Sequence, residues 1–392
     1  MLLESSPPMS LARRHWLGSS AGLIALSAVG LSPTSARALP VRTLQFPRDH
    51  GSHPDLRTEW WYITGHLDAA GAPWGFQITF FRSRVEGTQD MQSAFAAKQL
   101  LFAHAAVTDV RGGRLLHDQR IARAGFGVVD ASESDTDIRL QDWRLVRHDA
   151  ARNPGEIERA GDAALGRVHS ERSRYEAQII SPGFSLQLQF NSTQPLILQG
   201  QQGLSRKGPD PEQASYYYSQ PQLSVSGSIT VGGKRIVASA GTGRAWMDHE
   251  WSETLMHPEV VGWDWIGMNL NDGGALTAFR LRRADGSAVW AGGSLRAAGQ
   301  ATRVFSASEV AFVPERFWTS AASGVRYPVQ WQVQTPAGVF QVRALLDNQE
   351  LDSSSSTGSI YWEGLSELRN PAGETVGQGY LELTGYGKPL RL

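Results

Sequence analysis

Acidic and imidazole side chains lie among tryptophans in the stretch Gly241–Leu270 of this chain. A charged group beside so much indole is unfavourable unless it is paired or used in chemistry. Burial would raise the pKa of a carboxyl group there and produce a general acid that works near neutral pH. The residues that we predict to be catalytic are Asp248, His249, Glu250 and Asp264.

Hydration of a double bond is one reaction that these residue types could perform. It needs a proton donor, stabilisation of the resulting cation and a base that activates water. A carboxylic acid or an imidazolium could donate, indole faces could stabilise the cation by about 0.5–2 kcal/mol, and a second carboxylate could be the base. The side chains that we predict to bind substrate are Glu59, Trp61, Tyr62, Trp246, Trp251, Trp263, Trp265 and Tyr217.

The orientation of one strand decides which of these side chains line a cavity. Alternate side chains of a strand point to opposite faces, so Asp248 and Glu250 share one face while His249 and Trp251 share the other. Either face could look into a cavity. A second interpretation is an interdomain brace, in which Arg244 pairs with Asp248 or Glu250 and the tryptophans only pack.

The elements that position these residues are predicted to be almost all strands. Short segments alternate apolar with polar residues, and turns such as Gly112-Gly113 and Asp285-Gly286 separate them at hairpin spacing. The best helical candidate covers Ala94–Phe102. An all-β chain of this length indicates barrels or sandwiches.

A long-range repeat indicates two related domains. Trp60–Asp68 and Trp263–Asp272 are both aromatic-rich strands, each followed by a tight turn and by a strand that closes on Phe-Arg. The copies are about 200 residues apart, which suits two copies of one β-domain, although two aromatic hairpins could also be alike by chance. We place the domains at 39–240 and 241–392. The segment Gln199–Gln222 before the boundary is predicted to be a surface loop or a lid over a cavity.

The N-terminus predicts an export signal over residues 1–38. Arg13 and Arg14 precede a modestly apolar run, Gly18–Leu31, and Ala36-Arg37-Ala38 follows as a cleavage site. This arrangement favours twin-arginine export and a periplasmic or secreted protein, whereas the alternative is a tail with chance arginines. The apolar run is too short to span a bilayer, and the mature chain is not expected to span a membrane.

Composition excludes several kinds of function. The chain has 392 residues and a formal net charge of −1, with no basic cluster, so we expect no nucleic-acid partner. It has no cysteine, which excludes disulfides, zinc–thiolate sites and thiol nucleophiles. A nucleophile elbow, a phosphate loop and a dinucleotide fingerprint are also missing.

The histidines do not have the spacing of a known zinc motif. His50, His53 and His66 lie near Glu59 in the sequence, and His249 is near a further histidine, but no H-E-x-x-H pattern occurs. Histidines without such spacing are more often loop or packing residues. We therefore predict neither a metal nor a cofactor.

Two blocks of sequence resemble a known family. The segment Phe46–Leu67, which contains TEWWY, and the segment Arg244–Ser252, RAWMDHEWS, with GWDW after it, resemble the AttH and carotenoid 1,2-hydratase (CrtC) family of secreted proteins, often labelled hydrolases. The resemblance extends from about Phe46 to about Tyr386. It implies two lipocalin-like antiparallel β-barrel domains in tandem, in which Arg82 and Arg280 could back the tryptophans that close each barrel base.

The resemblance also implies a function. Relatives include hydratases of carotenoids and of prenylated aromatic compounds, and fungal pericyclases, so we expect an exported hydratase-like or lyase-like enzyme, or a hydrolase, acting on a hydrophobic isoprenoid- or lipid-like substrate. Catalytic residues proposed for the hydratases are of the His, Trp, Tyr and Asp types, although many close relatives carry Arg where this chain has His249. The alternative is a non-catalytic periplasmic carrier of a hydrophobic ligand, with an envelope transport system as partner.

Overall fold

The computed structural model describes residues 38–150, 172–254 and 256–390. Strands make up nearly all of the regular structure there, and the helical elements are the 3-10 turns Arg48–His50 and Ala307–Glu309, so the predicted all-β fold is confirmed. Among the described residues, no helix has the length and apolarity needed to cross a membrane. The export signal predicted for residues 1–38 falls, apart from Ala38, outside the described residues.

The first sheet is antiparallel and has fourteen strands among the residues that the structure describes. They are β1 Thr58–Ala69, β2 Ala72–Arg84, β3 Gln99–Asp109, β4 Arg114–Arg123, β5 Val129–Ala131, β6 Asp137–Leu140, β7 Trp143–Asp149, β8 Ser173–Ile180, β9 Phe184–Asn191, β10 Ile197–Leu198, β11 Leu204–Arg206, β12 Ala214–Val231, β13 Lys234–Val237 and β14 Gly243–Thr254. The strand order is β4-β3-β2-β1-β14-β12-β9-β8-β7-β6-β5, with β10, β11 and β13 beside β12. Because β4 also contacts β6, the sheet is almost closed on itself.

The second sheet is antiparallel and, within residues 256–390, has ten strands. They are β15 Gly262–Leu270, β16 Ala275–Arg282, β17 Ala288–Arg296, β18 Arg303–Phe305, β19 Ala311–Thr319, β20 Arg326–Thr335, β21 Gly338–Ala344, β22 Glu350–Ser353, β23 Ser359–Arg369 and β24 Thr375–Leu383. The order is β18-β17-β16-β15-β24-β23-β21-β20-β19, and β22 pairs with β23. Its own core includes Ile266, Trp331 and Trp362.

Alternation of apolar and polar residues explains how the strands pack. Along β9, Phe184, Leu186, Leu188 and Phe190 are buried in the core of the first sheet, while the side chains between them are more exposed. Each such side chain contributes about 1.5–3 kcal/mol when it leaves water. The two-residue turn Ala70-Gly71 has positive φ at both positions, which fits the tight hairpin between β1 and β2.

Two predictions of local structure are wrong. The segment predicted to be helical, Ala94–Phe102, ends inside β3, which pairs with β2 along its whole length. Pairing with β2 on one side and with β4 on the other outweighs the helix-forming alanines and leucines of this strand. The segment Gln199–Gln222, predicted to be a surface loop or a lid, contains β11 and the first half of β12, so its three adjacent tyrosines lie in a strand beside β14.

The sheets divide the chain at a different place from the predicted boundary. The strand β14 pairs with β1 on one side and with β12 on the other, so it belongs to the first sheet. Sheet membership changes between Thr254 and Gly262. The division at 240/241 therefore separates β14 from its own sheet, since strand pairing over this distance leaves no mark in the local sequence.

Candidate functional site

The strand β14 presents its two faces to two different surroundings. His249 stacks on Trp61 inside the first sheet, with ring centroids 4.6 Å apart. Trp246 packs edge-on against Trp265 of the second sheet, with ring centroids 6.3 Å apart. Alternation therefore points His249 into the first sheet and Asp248 toward the second, so both faces are lined, by different clusters.

Asp248 is a buried acid surrounded by neutral hydrogen-bond donors. Its carboxyl group accepts from the Tyr217 hydroxyl at 2.7 Å, the Ser219 hydroxyl at 2.5 Å and the indole N–H of Trp246 at 2.7 Å. Burial raises the pKa of Asp248 to about 7, although the three hydrogen bonds lower it in part. The group can therefore hold or release a proton near neutral pH.

Glu250 lies on the same face but is paired with a cation. Its carboxylate is 2.9 Å from the Lys207 ammonium and also accepts a hydrogen bond from the Ser215 hydroxyl. The ammonium lies over the rings of Tyr217 and Phe279, 4.6 and 4.4 Å from their centroids. Glu250 thus acts as the anionic half of a buried ion pair rather than as a free acid.

The second sheet contributes two more carboxyl groups to this region. Glu363 and Glu382 lie directly opposite each other on β23 and β24. Burial raises the pKa of Glu382 to about 7, and the nearby charge of Asp248 raises it by a smaller amount. The pKa of Glu363 is raised by burial and by the charge of Glu382. Within the described part of the chain, Oε1 of Glu363 and the hydroxyl of Tyr62 are buried without a hydrogen-bond partner of normal geometry.

Aromatic side chains enclose these acids between the sheets. The Tyr62 ring packs edge-on against Trp265 at 5.4 Å, and the Trp265 indole N–H donates to the Tyr217 hydroxyl at 3.3 Å. We call this region the inter-sheet cluster and define it by its acids and aromatic residues: Asp248, Glu363, Glu382, Tyr62, Tyr217, Trp246, Trp265 and Tyr380. A reaction through a carbocation requires a protonated acid to donate the proton and aromatic faces to stabilise the cation, and this cluster contains both kinds of group.

A second network lies on the other face of β14, inside the first sheet. The Glu59 carboxylate accepts from Nε2 of His249 at 2.9 Å, from Nδ1 of His53 at 2.7 Å and from Nε of Arg82 at 2.8 Å. Burial alone would raise the pKa of Glu59, but the two histidines lower it well below its ordinary value. Burial lowers the pKa of His249 to about 4, so its ring is neutral at pH 7. We call these residues the Glu59 network.

The predicted site residues therefore separate into two groups and one outlier. The Glu59 network contains four of the predicted residues: Glu59, Trp61, His249 and Trp251. The other predicted aromatic residues lie in the inter-sheet cluster, with Trp263 at its edge. Asp264 is on the opposite face of β15 from the cluster, where it binds Arg280 at 2.6 Å and accepts from the Tyr386 hydroxyl at 2.8 Å. The structure does not bring Asp264 to Asp248.

One cavity opens beside the inter-sheet cluster. It has a volume of about 370 Å³ and lies along the connection between the sheets, with Arg57, Glu253 and His257 among its polar walls. Met256 and Val260 line the same cavity and also pack against the cluster's aromatic residues. The cavity therefore borders the packing around the cluster, although the cluster's acids are not among the residues that line it.

Sequence reasoning missed several members of both groups. Glu363, Glu382, Lys207, His53 and Tyr218 were not predicted as site residues. An acid within an otherwise apolar strand, as in the runs YWEGL and YLELT, was a signal that could have found the two glutamates. Lys207 and Tyr218 carried no comparable signal because their partners come from other strands.

A family model settles the relationship suggested by the two sequence blocks. The AttH-like family model matches residues 37–386, nearly the whole chain. This chain belongs to the AttH-like family. The crystal structure of an AttH protein from Nitrosomonas europaea is 43% identical to it, covers 90% of this chain and 99% of that one, and has a TM-score of 0.76.

More distant relatives share the fold of this AttH-like chain. Kievitone hydratase from Fusarium solani subsp. phaseoli is 22% identical over 240 residues, which cover 57% of this chain and 63% of that protein. The crystal structure of kievitone hydratase from Nectria haematococca is 14% identical, covers 88% of this chain and 94% of that one, and has a TM-score of 0.61. A structure of CghA with Sch210972 has a TM-score of 0.53 at 14% identity, with 84% and 88% of the two chains covered. The predicted tandem lipocalin-like β fold agrees with these structures.

Proposed function

We propose that this AttH-like chain is a hydratase-like enzyme that acts on a double bond of a hydrophobic, isoprenoid- or lipid-like substrate. The observation that carries the proposal is the position of Asp248, a buried carboxyl group whose pKa is raised to about 7 among indole and phenol rings. A surface acid would be ionised at pH 7 and could not protonate a weakly basic alkene carbon. The similarity to proteins named kievitone hydratase supports this class of reaction.

The roles of the inter-sheet residues follow from their chemistry. The Asp248 carboxylic acid transfers its proton to one alkene carbon, and the carbon next to it becomes cationic. The π-faces of Trp246 and Trp265 stabilise that cation while water is excluded from all but the attacking direction. The oxygen of one water molecule then bonds to the cationic carbon.

A second carboxyl group completes the proton balance. Water must lose a proton as it adds, and the carboxylate form of Glu382, whose pKa is also raised to about 7, accepts it. Glu382 then releases this proton to solvent and Asp248 takes one up, so both groups return to their starting states and the sum of the steps is the addition of one water molecule. The reverse sequence gives a lyase that removes water.

Conversion by a matched set of variants tests the proposal. Organic extracts are analysed by mass spectrometry before and after incubation of candidate isoprenoids and lipids with wild-type protein, with Asp248→Asn and with the exposed-site control Asp130→Asn. We expect wild type and Asp130→Asn to convert one candidate and Asp248→Asn to lose at least about 100-fold in rate, with its thermal melt little changed.

The same experiment separates the enzyme from a carrier. A carrier would retain an extractable hydrophobic compound, and wild type would leave that compound chemically unchanged. That outcome, or equal conversion by Asp248→Asn and wild type, would rule out the proposed reaction at this site. Hydrolysis would instead yield two fragments from one substrate, which the same spectra distinguish.

We further propose export to the periplasm or beyond by the twin-arginine route, with an envelope transport system as a partner. The support is the pair Arg13-Arg14 before an apolar run. Replacing both arginines by lysine should leave the full-length chain in the cytoplasmic fraction, detected by immunoblot. Unaltered export of the double variant would contradict this route.

A further inference from the structure

Three potential metal ligands converge in the Glu59 network. They are Nδ1 of His53, Oε1 of Glu59 and Nε2 of His249, which all lie within 4.8 Å of one another. No other group of three or more His, Asp or Glu residues in the described part of the chain meets this description. All three side chains are buried, since the most exposed, His53, keeps 8% of its surface.

The two oxygens of Glu59 have different surroundings. Oε2 accepts hydrogen bonds from Nε of Arg82 at 2.8 Å, from the backbone N–H of His53 at 2.8 Å and from the Ser52 hydroxyl at 3.2 Å. Oε1 is approached by the two imidazole nitrogens, from His53 and His249. The carboxylate is therefore held by one oxygen and offers the other as a ligand.

Each histidine ring is oriented through its second nitrogen. Nε2 of His53 lies 2.9 Å from Oδ1 of Asp49, and Nδ1 of His249 lies 3.2 Å from the Tyr218 hydroxyl. Carboxylate or hydroxyl partners on the far nitrogen are the usual support of metal-binding histidines. The His53 ring also stacks on Trp251, with centroids 4.0 Å apart and planes 3° from parallel.

The His53 ring has an unusual pair of partners. Both of its nitrogens face carboxylate oxygens, at Asp49 and at Glu59. A neutral imidazole has one N–H, so it can satisfy one of these acceptors and presents a lone pair to the other. A metal cation between His53 and one carboxylate would satisfy the acceptor that the single N–H leaves over. The Glu59 side offers a further nitrogen, from His249, and is the side that fits a metal.

We propose that His53, Glu59 and His249 bind a divalent transition-metal ion of the zinc type. Two imidazoles and one carboxylate form a donor set that such ions bind in proteins. The ion would join the segment around the turn Arg48–His50 to β1 and β14, and so it would act as a structural tie. Because His249 and Asp248 point to opposite faces of β14, this proposal does not depend on the proposed reaction.

The present distances set the movement that binding requires. Zinc–ligand distances of about 2.0–2.2 Å in a tetrahedral site place neighbouring ligand atoms about 3.3 Å apart. The imidazole nitrogens are now 2.7 and 2.9 Å from Oε1 of Glu59, at hydrogen-bond distance. Each pair must therefore open by roughly half an ångström, which a rotation of the carboxylate or ring supplies.

Metal loading of the full chain tests the proposal. Wild-type protein is treated with a chelator, incubated with Zn²⁺ or Co²⁺ and passed through gel filtration before its metal content is measured by mass spectrometry. Two ligand variants, His53→Gln and His249→Gln, are compared with His148→Gln, whose histidine lies on the exposed side of β7. We expect about one ion per chain and a higher melting temperature in wild type and His148→Gln, and loss of both effects in the ligand variants.

The visible spectrum of the cobalt form supplies a second readout. Four- or five-coordinate Co²⁺ with imidazole ligands absorbs in the visible range, and X-ray absorption counts its nitrogen neighbours. If circular dichroism shows that a ligand variant does not fold, the spectra of the cobalt-loaded wild type still show whether imidazole nitrogens bind the ion. The proposal is overturned if wild type retains no ion after loading, if His53→Gln and His249→Gln retain it equally well, or if the spectra lack imidazole ligands. Those results would leave the Glu59 network as a hydrogen-bonded brace.

Discussion

Buried acids in this protein differ in protonation because their partners differ. Glu59 forms an ion pair with Arg82, and the imidazole rings of His249 and His53 lower its pKa despite burial. Asp248 has hydrogen-bond donors, and none of the described cations forms an ion pair with it, so burial raises its pKa to about 7. At the scale of single residues, the second environment is the one suited to proton transfer.

The pKa of Asp248 predicts a pH profile. The general acid Asp248 must be protonated and the base Glu382 must be ionised, and both pKa values are about 7, so kcat/KM should peak near pH 7 and fall on either side. Activity measured from pH 5 to pH 9 in one buffer mixture checks this. A rate that rises through that range would mean that Asp248 does not supply the proton. Asp130→Asn should keep the wild-type profile.

Two equivalent hairpins place an ion pair in each sheet. In the first, Glu59 of β1 lies directly opposite Arg82 of β2, and in the second, Asp264 of β15 lies directly opposite Arg280 of β16. The repeat seen in the sequence therefore corresponds to a repeated hairpin with an inward acid and its arginine. Arg280 also covers the Trp331 ring, 4.9 Å from its centroid, which agrees with the predicted tryptophan–arginine base in the second sheet.

Removal of Arg82 should show how much its ion pair with Glu59 contributes to the free energy of unfolding. Arg82→Ala leaves the Glu59 charge buried without its guanidinium, and we expect the free energy of unfolding to fall by about 3–5 kcal/mol. Arg144 pairs with Asp137 at the surface, so Arg144→Ala should cost less than about 1 kcal/mol. Urea denaturation measures both. Equal losses in the two variants would show that the buried pair has no special role in stability.

The sequence predicted the individual strands better than it predicted which strands would pair with or face one another. Alternation in segments such as β9 gave the strands, and the repeat of Trp60 and Trp263 indicated two copies of one hairpin. Alternation also assigned Asp248 and His249 to opposite faces, but it could not say what each face would meet. That depends on strands such as β23 and β24, whose glutamates lie more than a hundred residues away in the chain.

At the scale of the whole molecule, the two sheets enclose acids that neither sheet would bury alone. The first sheet supplies Asp248, the second supplies Glu363 and Glu382, and aromatic rings from both sides cover them. The predicted boundary at 240/241 lies before β14, which pairs within the first sheet while the side chains of one of its faces point toward the second. A site formed this way should couple the stability of the sheet contact to pH.

The sign of that coupling follows from Glu382. Its pKa is about 7 in the folded protein and about 4.5 in the unfolded chain, so the folded state binds more protons between these values and stability falls as the pH rises through that window. Glu382→Gln removes this half-buried carboxyl group. We expect its melting temperature to equal that of wild type near pH 4 and to exceed it at pH 8. A variant that melts below wild type at pH 8 would contradict a raised pKa.

The origin of the product's oxygen tests the account most directly. Wild-type protein is incubated with the substrate that it converts, in water labelled with oxygen-18, and the product is analysed by mass spectrometry. We predict that the product contains one labelled oxygen and has gained the mass of one labelled water molecule, and that Asp248→Asn forms no such product while Asp130→Asn does. A ligand recovered unchanged, a product without the label, or labelled product at the wild-type rate from Asp248→Asn would contradict hydration by the inter-sheet cluster.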